Sequence, residues 1–221
     1  MLAGPVLAQD QMPAAGRAET MPAVGRPVAK IVSPAWDREQ RRDQRGEFAD
    51  VVKALGIGPG QTVADIGAGA GYYTVRLSPL VGPQGRVIAQ DIEARYIQDL
   101  RKRVAAEKLE NVRFVRGTES DPKLPVGAVD VALMIHMYHE IGQPYALLSR
   151  LRASLKPGGR VAIVDLEREP QYHGMPRDLL VCEVRAVGYE LEKLTDLEVG
   201  YLAVFRLGAP VDAAKVKACR G

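Results

Sequence analysis

The stretch Val63–Tyr72, with the sequence VADIGAGAGY, decides the fold of this chain. Its first residues predict a short buried strand that carries the acidic residue Asp65 close to its end. Three glycines, Gly67, Gly69 and Gly71, then alternate with alanines before a helix begins. Glycine tolerates positive φ and lets a ligand approach the backbone closely, and ligands of open parallel sheets bind outside the carboxyl ends of the strands. The stretch therefore predicts a ligand-binding loop between a strand and a helix.

Strand and helix patterns alternate outward from this loop. The apolar runs are typical of strands that are buried on both faces, and the segments between them have the apolar spacing of helices. This alternation predicts an α/β fold with a mostly parallel sheet covered on both faces. The predicted order is strand–helix five times, followed by two final strands that form an antiparallel pair. The predicted strands are 62–66, 86–90, 112–115, 129–135, 161–164, 189–194 and 201–207, and the predicted helices are 38–45, 48–55, 73–80, 93–106, 144–155 and 176–187.

Composition excludes several classes of function. The 221 residues are 47% hydrophobic and 26% charged, as in globular proteins, and their number suits one large domain. No apolar run reaches the roughly 18 residues of a membrane span. A net charge of +3 is too small to indicate a nucleic-acid partner. Cys182 and Cys219 form no Cys-x-x-Cys pair, and we expect the first in the core and the second in a tail.

The chain divides into a flexible N-terminal tail at 1–30, a main domain at 31–208 and a C-terminal tail at 209–221. The first segment is rich in Ala, Gly, Pro and Met, and cannot bury enough surface to offset its ordering entropy. Met1–Gln9 contains small residues like those that end a secretory signal, but no basic region or long apolar stretch precedes them. Two interpretations stay open for it: the remnant of a longer precursor, or a disordered arm.

The spacing of the loop narrows the choice of ligand. A dinucleotide fingerprint would need glycine at Tyr72, and the Gly-Lys-Ser/Thr of a P-loop is missing. Asp65 would repel a pyrophosphate, but it suits a ligand that carries an ammonium group. Asp91 ends the second predicted strand, where a carboxylate can accept hydrogen bonds from both hydroxyls of a ribose.

These residues resemble the class I S-adenosylmethionine-dependent methyltransferases, whose main cofactor motif matches the first strand and its Asp-x-Gly-x-Gly-x-Gly loop. The resemblance covers about 36–207, and the stretch Met137–Glu140 is similar to one in a bacterial group related to the quinone-biosynthesis methyltransferases. It implies a doubly wound, Rossmann-like fold with a mostly parallel seven-stranded sheet, whose antiparallel seventh strand lies between the fifth and sixth. It also implies that the helical region 31–56 covers the cofactor as a lid.

The resemblance implies S-adenosylmethionine as the cofactor and assigns its contacts. Asp65 and the glycine loop would hold the aminocarboxypropyl group, Asp91 the ribose and Ile92 the adenine. Many relatives carry an acidic residue directly after Gly117, whereas this chain has Thr118 and then Glu119, so either side chain is a candidate at the adenine edge. The expected cofactor contacts are Asp65, Gly67, Ala68, Gly69, Gly71, Tyr72, Asp91, Ile92, Gly117, Thr118, Glu119, Ile135 and His136.

A second cluster, Met134–Ile141, lies at the predicted carboxyl end of the fourth strand. Methyl transfer is an in-line displacement that depends on positioning, and an oxygen or acidic-carbon acceptor must also lose a proton, for which histidine titrates in a suitable range. We therefore predict His139 and His136 as catalytic base candidates, with Glu140 orienting an imidazole. Contact without proton transfer and a purely structural role stay open. The spacing matches no metal motif, and Asp165 lacks the acidic partner of a magnesium site, so we expect no metal.

Other side chains could border the acceptor pocket. Trp36, Arg42 and Arg45 could close it, with an arginine binding a carboxylate or phosphate of the acceptor; the alternative is a solvated charged face with one buried anchor. His173 could line it from the loop after the fifth strand, or be an exposed loop histidine.

The leading functional hypothesis is methyl transfer from S-adenosylmethionine to a small-molecule acceptor, on an oxygen, nitrogen or carbon atom. The alternatives are a non-catalytic S-adenosylmethionine-binding module and an NAD-dependent oxidoreductase, against which Tyr72 counts. The modest size of the chain favours a small acceptor over a large RNA. Because the methyl donor is made in the cytoplasm, we expect a cytoplasmic protein, with export as the alternative if the first residues are the remnant of a signal peptide.

Overall fold

The computed structural model describes residues 21–32 and 39–220. Their strands form a single seven-stranded sheet. The strands are β1 (Thr62–Ile66), β2 (Arg86–Asp91), β3 (Val112–Arg116), β4 (Val129–Ile135), β5 (Leu155–Asp165), β6 (Tyr189–Asp196) and β7 (Tyr201–Leu207). The α-helices of the described residues are α1 (Glu39–Gln44), α2 (Glu47–Leu55), α3 (Tyr72–Val81), α4 (Ala94–Ala106), α5 (Pro144–Leu151) and α6 (Arg177–Ala186).

The strand order is β3-β2-β1-β4-β5-β7-β6. The first five strands of this order pair in parallel, and β7 is antiparallel to both β5 and β6. The predicted doubly wound sheet, with its seventh strand inserted between the fifth and sixth, is therefore confirmed. The winding reverses between β1 and β4, and open α/β sheets bind ligands in the crevice at such a switch point.

Helices cover both faces of the sheet, because its central strands are apolar on both sides. On one face, Leu148 of α5 and Leu180 of α6 pack against strand residues such as Ala132. On the other face, Val51 of α2 and Leu77 of α3 pack against the opposite side of the same strands. None of the helices in the described ranges combines the length and apolarity that a membrane crossing requires.

Two details of the predicted strand–helix order were wrong. Residues 117–128, between β3 and β4, contain an isolated bridge from Thr118 to Asp121 and no helix. Pro122, Pro125 and Gly127 explain this, because proline and glycine interrupt a helix in so short a connection. The predicted last turn of α5 is a 3₁₀ turn, Arg152–Ser154, and the chain then enters β5 at Leu155, whose backbone lies beside Val129 of β4.

The two cysteines form a disulfide, which the sequence analysis did not anticipate. Cys182 in α6 is bonded to Cys219. Cys182 is exposed and Cys219 is 7% exposed, so the expectation of the first in the core and the second in a tail was wrong. The two residues are 37 positions apart, and their spacing in the sequence carries no sign that α6 and the end of the chain meet. The bond attaches part of the predicted C-terminal tail to the domain.

The described part of the predicted N-terminal tail also packs against the domain. Arg26 is 7% exposed, and its guanidinium donates to the buried carboxylate of Glu183 in α6 at 2.9 Å. The backbone at Gly25 forms a bridge with Arg220, close to the disulfide. Proline, glycine and alanine gave this segment no periodic pattern, so only tertiary contacts reveal its packing. The division of the whole chain into domain and tails stays a prediction.

Candidate active site

A cavity of about 530 Å³ opens at the carboxyl ends of β1, β2 and β4, where the winding reverses. Its volume lies in the roughly 300–1,000 Å³ range of ligand pockets. The predicted cofactor contacts that line it are Asp65, Gly67, Ala68, Gly69, Tyr72, Asp91, Ile92, Thr118, Glu119, Ile135 and His136. The structure thus brings together residues from four separate strand ends.

Polar side chains at the end of β2 hold the glycine loop in shape. The carboxylate of Asp91 accepts hydrogen bonds from the backbone N–H groups of Gly69 and Glu93, both at 2.9 Å. The side-chain oxygen of Gln90 accepts one from Gly67 at 3.3 Å. Burial raises the pKa of Asp91, against the effect of its backbone hydrogen bonds. The carboxylate expected to bind ribose therefore also positions the backbone of the loop.

Gly71 and Gly117 lie behind the cavity wall and do not line it. At Gly71, φ is +83°, and a Cβ atom would stand 2.1 Å from Cδ1 of Leu100. At Gly117, a Cβ atom would stand 2.0 Å from Nε2 of Gln90. Both glycines let other residues pack closely, and their predicted direct contact with the cofactor stays a prediction.

Asp65 reaches the cavity from the end of β1 and is only 3% exposed. The hydroxyl of Thr74 donates to its Oδ2 atom at 2.6 Å. Burial raises the pKa of Asp65 to about 6, and the Thr74 hydrogen bond acts in the opposite direction. An ammonium group in the cavity would relieve this burial cost, because an opposite charge favours the ionised carboxylate.

His136, directly after β4, pairs with Glu47 of α2, a residue that the sequence analysis missed. The Nε2 atom of His136 lies 2.7 Å from Oε2 of Glu47, while Arg42 and Tyr73 donate to Oε1 at 2.6 and 3.1 Å. Burial acts to raise the pKa of Glu47, but its contacts with His136 and Arg42 outweigh burial and lower the pKa to about 2. The ionised Glu47 accepts a hydrogen bond from the N–H group at Nε2, so the lone pair of the neutral ring lies on Nδ1.

The sequence held no pattern that could have paired these two residues. Glu47 and His136 are 89 positions apart, and Glu47 stands in the first turn of a short helix, where an acidic residue is common for reasons of helix capping alone. The N–H donor on Nε2 and the acceptor on Glu47 meet only when α2 packs over the carboxyl end of β4.

Helix α1 is anchored over the glycine loop by ion pairs. Glu39 pairs with Arg103 at 2.7 Å, and Arg103 also donates to the carbonyl of Ala70 in the loop at 3.0 Å. Asp43 pairs with Arg76 of α3 at 2.8 Å. These contacts fit the expected cover over the cofactor, although its action as a lid stays a prediction.

Of the residues expected to close the pocket, Arg42 lines the cavity and its guanidinium stacks 3.9 Å from the ring centroid of Tyr72. Arg42 is already paired with Glu47. Arg45 is exposed and does not line the cavity. Trp36 lies outside the described residues. The interpretation of Arg42 as a pocket residue therefore has geometric support, and that of Arg45 has none.

His139 lies beneath the cavity wall and is 2% exposed. Its Nδ1 atom is 3.0 Å from both carboxylate oxygens of Asp165, at the end of β5. Glu140, the next residue, does line the cavity. His136 is thus the base candidate whose side chain reaches the cavity, while the catalytic role of His139 stays a prediction.

The segment before α1 forms part of the cavity mouth, through Val28, Ala29, Ile31 and Val32. The backbone N–H of Ala29 donates to the carbonyl of His139 at 3.1 Å, and that of Val32 donates to the carboxylate of Glu140 at 3.2 Å. Apolar residues on both sides of the predicted boundary between the N-terminal tail and the domain therefore border the site.

Comparisons with known proteins agree with this geometry. A family described as "Methyltransferase domain" matches residues 63–159. The crystal structure of an S-adenosylmethionine-dependent methyltransferase from Aquifex aeolicus matches with a TM-score of 0.69 and 25% identity, covering 76% of this chain and 96% of that one. Over these residues, the chain is similar to the class I S-adenosylmethionine-dependent methyltransferases, and it has their fold.

Two curated methyltransferases show the range of its relatives. An arsenite methyltransferase of Halobacterium salinarum is 33% identical over 110 residues, which make up 50% of this chain and 28% of that protein. A demethylmenaquinone methyltransferase of Lactococcus lactis is 27% identical over 117 residues, 53% of this chain and 46% of that protein. The chain thus spans less than half the length of both relatives.

The matched methyltransferase family and the solved S-adenosylmethionine-dependent methyltransferases confirm the predicted cofactor, S-adenosylmethionine, and count against the NAD-dependent oxidoreductase. The residues present fit this cofactor. Asp65 offers a carboxylate to its ammonium group, and Asp91 retains lone pairs for ribose hydroxyls. Gly67 and Gly69 adopt φ of +69° and +52°, a backbone conformation that glycine adopts readily. These two positions therefore put no side chain into the cavity that they line.

Proposed function

We propose that this protein transfers a methyl group from S-adenosylmethionine to a small-molecule acceptor that binds beside His136. One observation carries the proposal: His136, which Glu47 holds from behind, lines the same cavity as Asp65 and the glycine loop. When bound, the cofactor supplies an electrophilic methyl group. The side chains needed to hold the donor and to accept a proton from the acceptor therefore face the same space.

Different residues of the chain hold the donor and accept the proton. Asp65 holds the ammonium group and Asp91 the ribose, which fixes the position of the methyl group. Ionised Glu47 holds the imidazole of His136 in one orientation and tautomer. Nδ1 of that ring is buried and has no hydrogen-bond partner among the described residues. Once the wall beside it opens to the acceptor, this atom accepts the proton that an O–H or acidic C–H group loses as its new bond to the methyl carbon forms. Glu47 then stabilises the resulting imidazolium.

The apolar part of the cavity wall supports a largely apolar acceptor. Ile31, Val32, Met137, Ile141 and Leu147 line the cavity together with the polar groups described above. Pockets for small organic molecules combine such apolar walls with a few placed polar groups. Of the relatives' acceptors, the quinone precursor named for the Lactococcus lactis enzyme is closer to this chemistry than arsenite.

The experiment is calorimetry with S-adenosylmethionine, S-adenosylhomocysteine and NAD, followed by a screen of acceptors for S-adenosylhomocysteine production. We expect binding of the first two compounds, no binding of NAD, and turnover with a phenolic or quinone-like acceptor. The matched variant Glu47→Gln should bind S-adenosylhomocysteine like the unmodified protein and lose turnover. Binding without turnover across a broad panel would favour the non-catalytic module, and binding of NAD alone would overturn the proposal.

The compartment is a separate proposal, and two observations bear on it. The methyl donor is made in the cytoplasm, which favours that compartment. The Cys182–Cys219 bond favours an oxidising one, because thiols in the cytosol are kept reduced. We propose a cytoplasmic protein whose cysteine pair is reduced there; counting free thiols in protein quenched within intact cells tests this, and a fully oxidised pair would support export.

A further inference from the structure

We propose that His139, Glu140 and His173 bind a divalent transition-metal ion beside the acceptor side of the cavity. One ligand atom from each residue lies within 4.8 Å of the others. His139 and Glu140 belong to the turn after β4, and His173 to the loop between β5 and α6. The sequence predicted no metal, because ligands from two separate loops form no motif with a recognisable spacing.

The hydrogen bond to Asp165 fixes which nitrogen of His139 is available. Its Nδ1 atom lies 3.0 Å from both carboxylate oxygens, so Nδ1 carries the hydrogen atom and donates a hydrogen bond to Asp165. The Nε2 atom therefore keeps its lone pair and faces Glu140. A carboxylate that accepts from the distal nitrogen of a histidine is the usual partner of a metal-bound imidazole, because it sets the tautomer and raises the basicity of the ligand.

His173 supplies the second observation. Its Nδ1 atom is buried, and no hydrogen-bond partner for it exists among the described residues. Buried polar atoms almost always have a partner, so an orphan atom calls for an explanation. The ring meets that of His139 edge to face, with centroids 5.5 Å apart, and its Nδ1 points toward the same carboxylate as Nε2 of His139.

The distances suit an ion better than a hydrogen bond. Nε2 of His139 and Nδ1 of His173 each lie 3.9 Å from Oε1 of Glu140, which is too long for a hydrogen bond. Two ligands on a tetrahedral zinc, each about 2.0–2.1 Å from the metal, stand about 3.3–3.4 Å apart. The two distances to Glu140 exceed this separation by about half an ångström, and the two histidine nitrogens lie within 4.8 Å of each other. Movements of up to about 1.5 Å would therefore bring the three groups onto one ion.

The local charge also favours a cation. The negative charges of Asp91 and Asp165 act on Glu140 from nearby, and a bound cation would offset them. Imidazole and carboxylate ligands suit zinc and its neighbours in the first transition row. The cluster contains no cysteine, so thiolate does not belong to the ligand set.

The test uses the full chain without an affinity tag, treated with a chelator and then titrated with Zn²⁺ by calorimetry and with Co²⁺ by visible absorption. We expect one equivalent to bind, with d–d bands of a nitrogen- and oxygen-ligated Co²⁺ and without a thiolate charge-transfer band. Asp165→Asn should weaken binding by about 10–100-fold, as the loss of a carboxylate behind a metal-bound histidine does. His173→Gln removes a ligand and should weaken it more.

His136→Gln is the matched control, because it removes a histidine of the same region that lies outside the cluster, and its metal affinity should be unchanged. Failure of the unmodified protein to bind one equivalent would overturn the proposal, as would equal affinity of His173→Gln or an equal loss in His136→Gln. Circular dichroism checks that each variant is folded. Binding of S-adenosylhomocysteine, measured in parallel, reports on the proposed methyl transfer separately, since none of the three ligands is assigned to the cofactor.

Discussion

The two sides of the cavity are built in different ways. On the cofactor side, most residues come from two strand–loop–helix connections, at the ends of β1 and β2, and are neighbours in the sequence. On the acceptor side, they come from the segment before α1, from α1 and from the end of β4, while Glu47 of α2 and Asp165 of β5 hold side chains there from behind. A local backbone conformation makes the first side, whereas pairs of distant side chains make the second. The second side can therefore change its ligand without a change of fold.

The largest expected effect is on the acceptor side and separates the two predicted bases. His136→Gln should lower the turnover rate by about 10²–10⁴-fold, the usual contribution of a general base, with little change in S-adenosylhomocysteine affinity. Replacing the buried His139 by Gln should lower the turnover rate less, because the ring of His139 does not reach the cavity. Steady-state rates and calorimetry of both variants measure this. A larger loss in His139→Gln would return the role of base to that residue.

The next largest effect is a loss of cofactor affinity, and we expect it from a substitution on the cofactor side. Gly69→Val forces a branched residue into a left-handed conformation, φ +52°, and fills the space where the donor approaches. Strain of about 1–3 kcal/mol together with the added bulk should weaken S-adenosylhomocysteine binding by about 100-fold or more.

Gly58→Val is the control for Gly69→Val, because no atom lies within 4 Å of a Cβ atom built there and its φ is not positive. It should leave the affinity for S-adenosylhomocysteine unchanged. Near-normal affinity in a folded Gly69→Val protein would mean that the loop does not bind the donor.

Reduction of the disulfide should loosen the terminal segments that support the acceptor side. Opening the Cys182–Cys219 bond, or replacing Cys219 by Ser, should lower the free energy of unfolding by about 2–4 kcal/mol. Denaturant unfolding with and without a reductant measures this loss. The affinity for S-adenosylhomocysteine should change little, and an equally strong loss of cofactor binding would contradict the division between the two sides.

The smallest expected effect is the pH dependence of donor binding. The pKa of Asp65 is about 6 in the folded chain without ligand, so its carboxyl group is mostly ionised at pH 7 and mostly protonated at pH 5. Because the donor's ammonium group needs the ionised form, its affinity should fall by up to about tenfold over this range. Asp65→Asn should bind more weakly at pH 7 and lose this dependence, whereas an unchanged pH profile would show that Asp65 does not pair with the ammonium group.

The sequence by itself determined the sheet, its order of strands and helices with the exception after β3, and the cofactor side of the cavity. These follow from local information: apolar runs that must be buried, glycines whose φ is positive, and carboxylates that end strands. The positions of Asp65 and Asp91 at one sheet edge needed no knowledge of distant contacts, because parallel strands place their carboxyl ends together.

Only the tertiary structure decided the partners of the remaining side chains. It paired Glu47 with His136, Asp165 with His139, Arg26 with Glu183 and Cys182 with Cys219. Each pair joins residues that no periodic pattern relates, and each pairing depends on burial and on donor–acceptor geometry, which exist only after the helices and loops have packed. For that reason the sequence was informative about the donor, while the acceptor chemistry is defined by the packed chain.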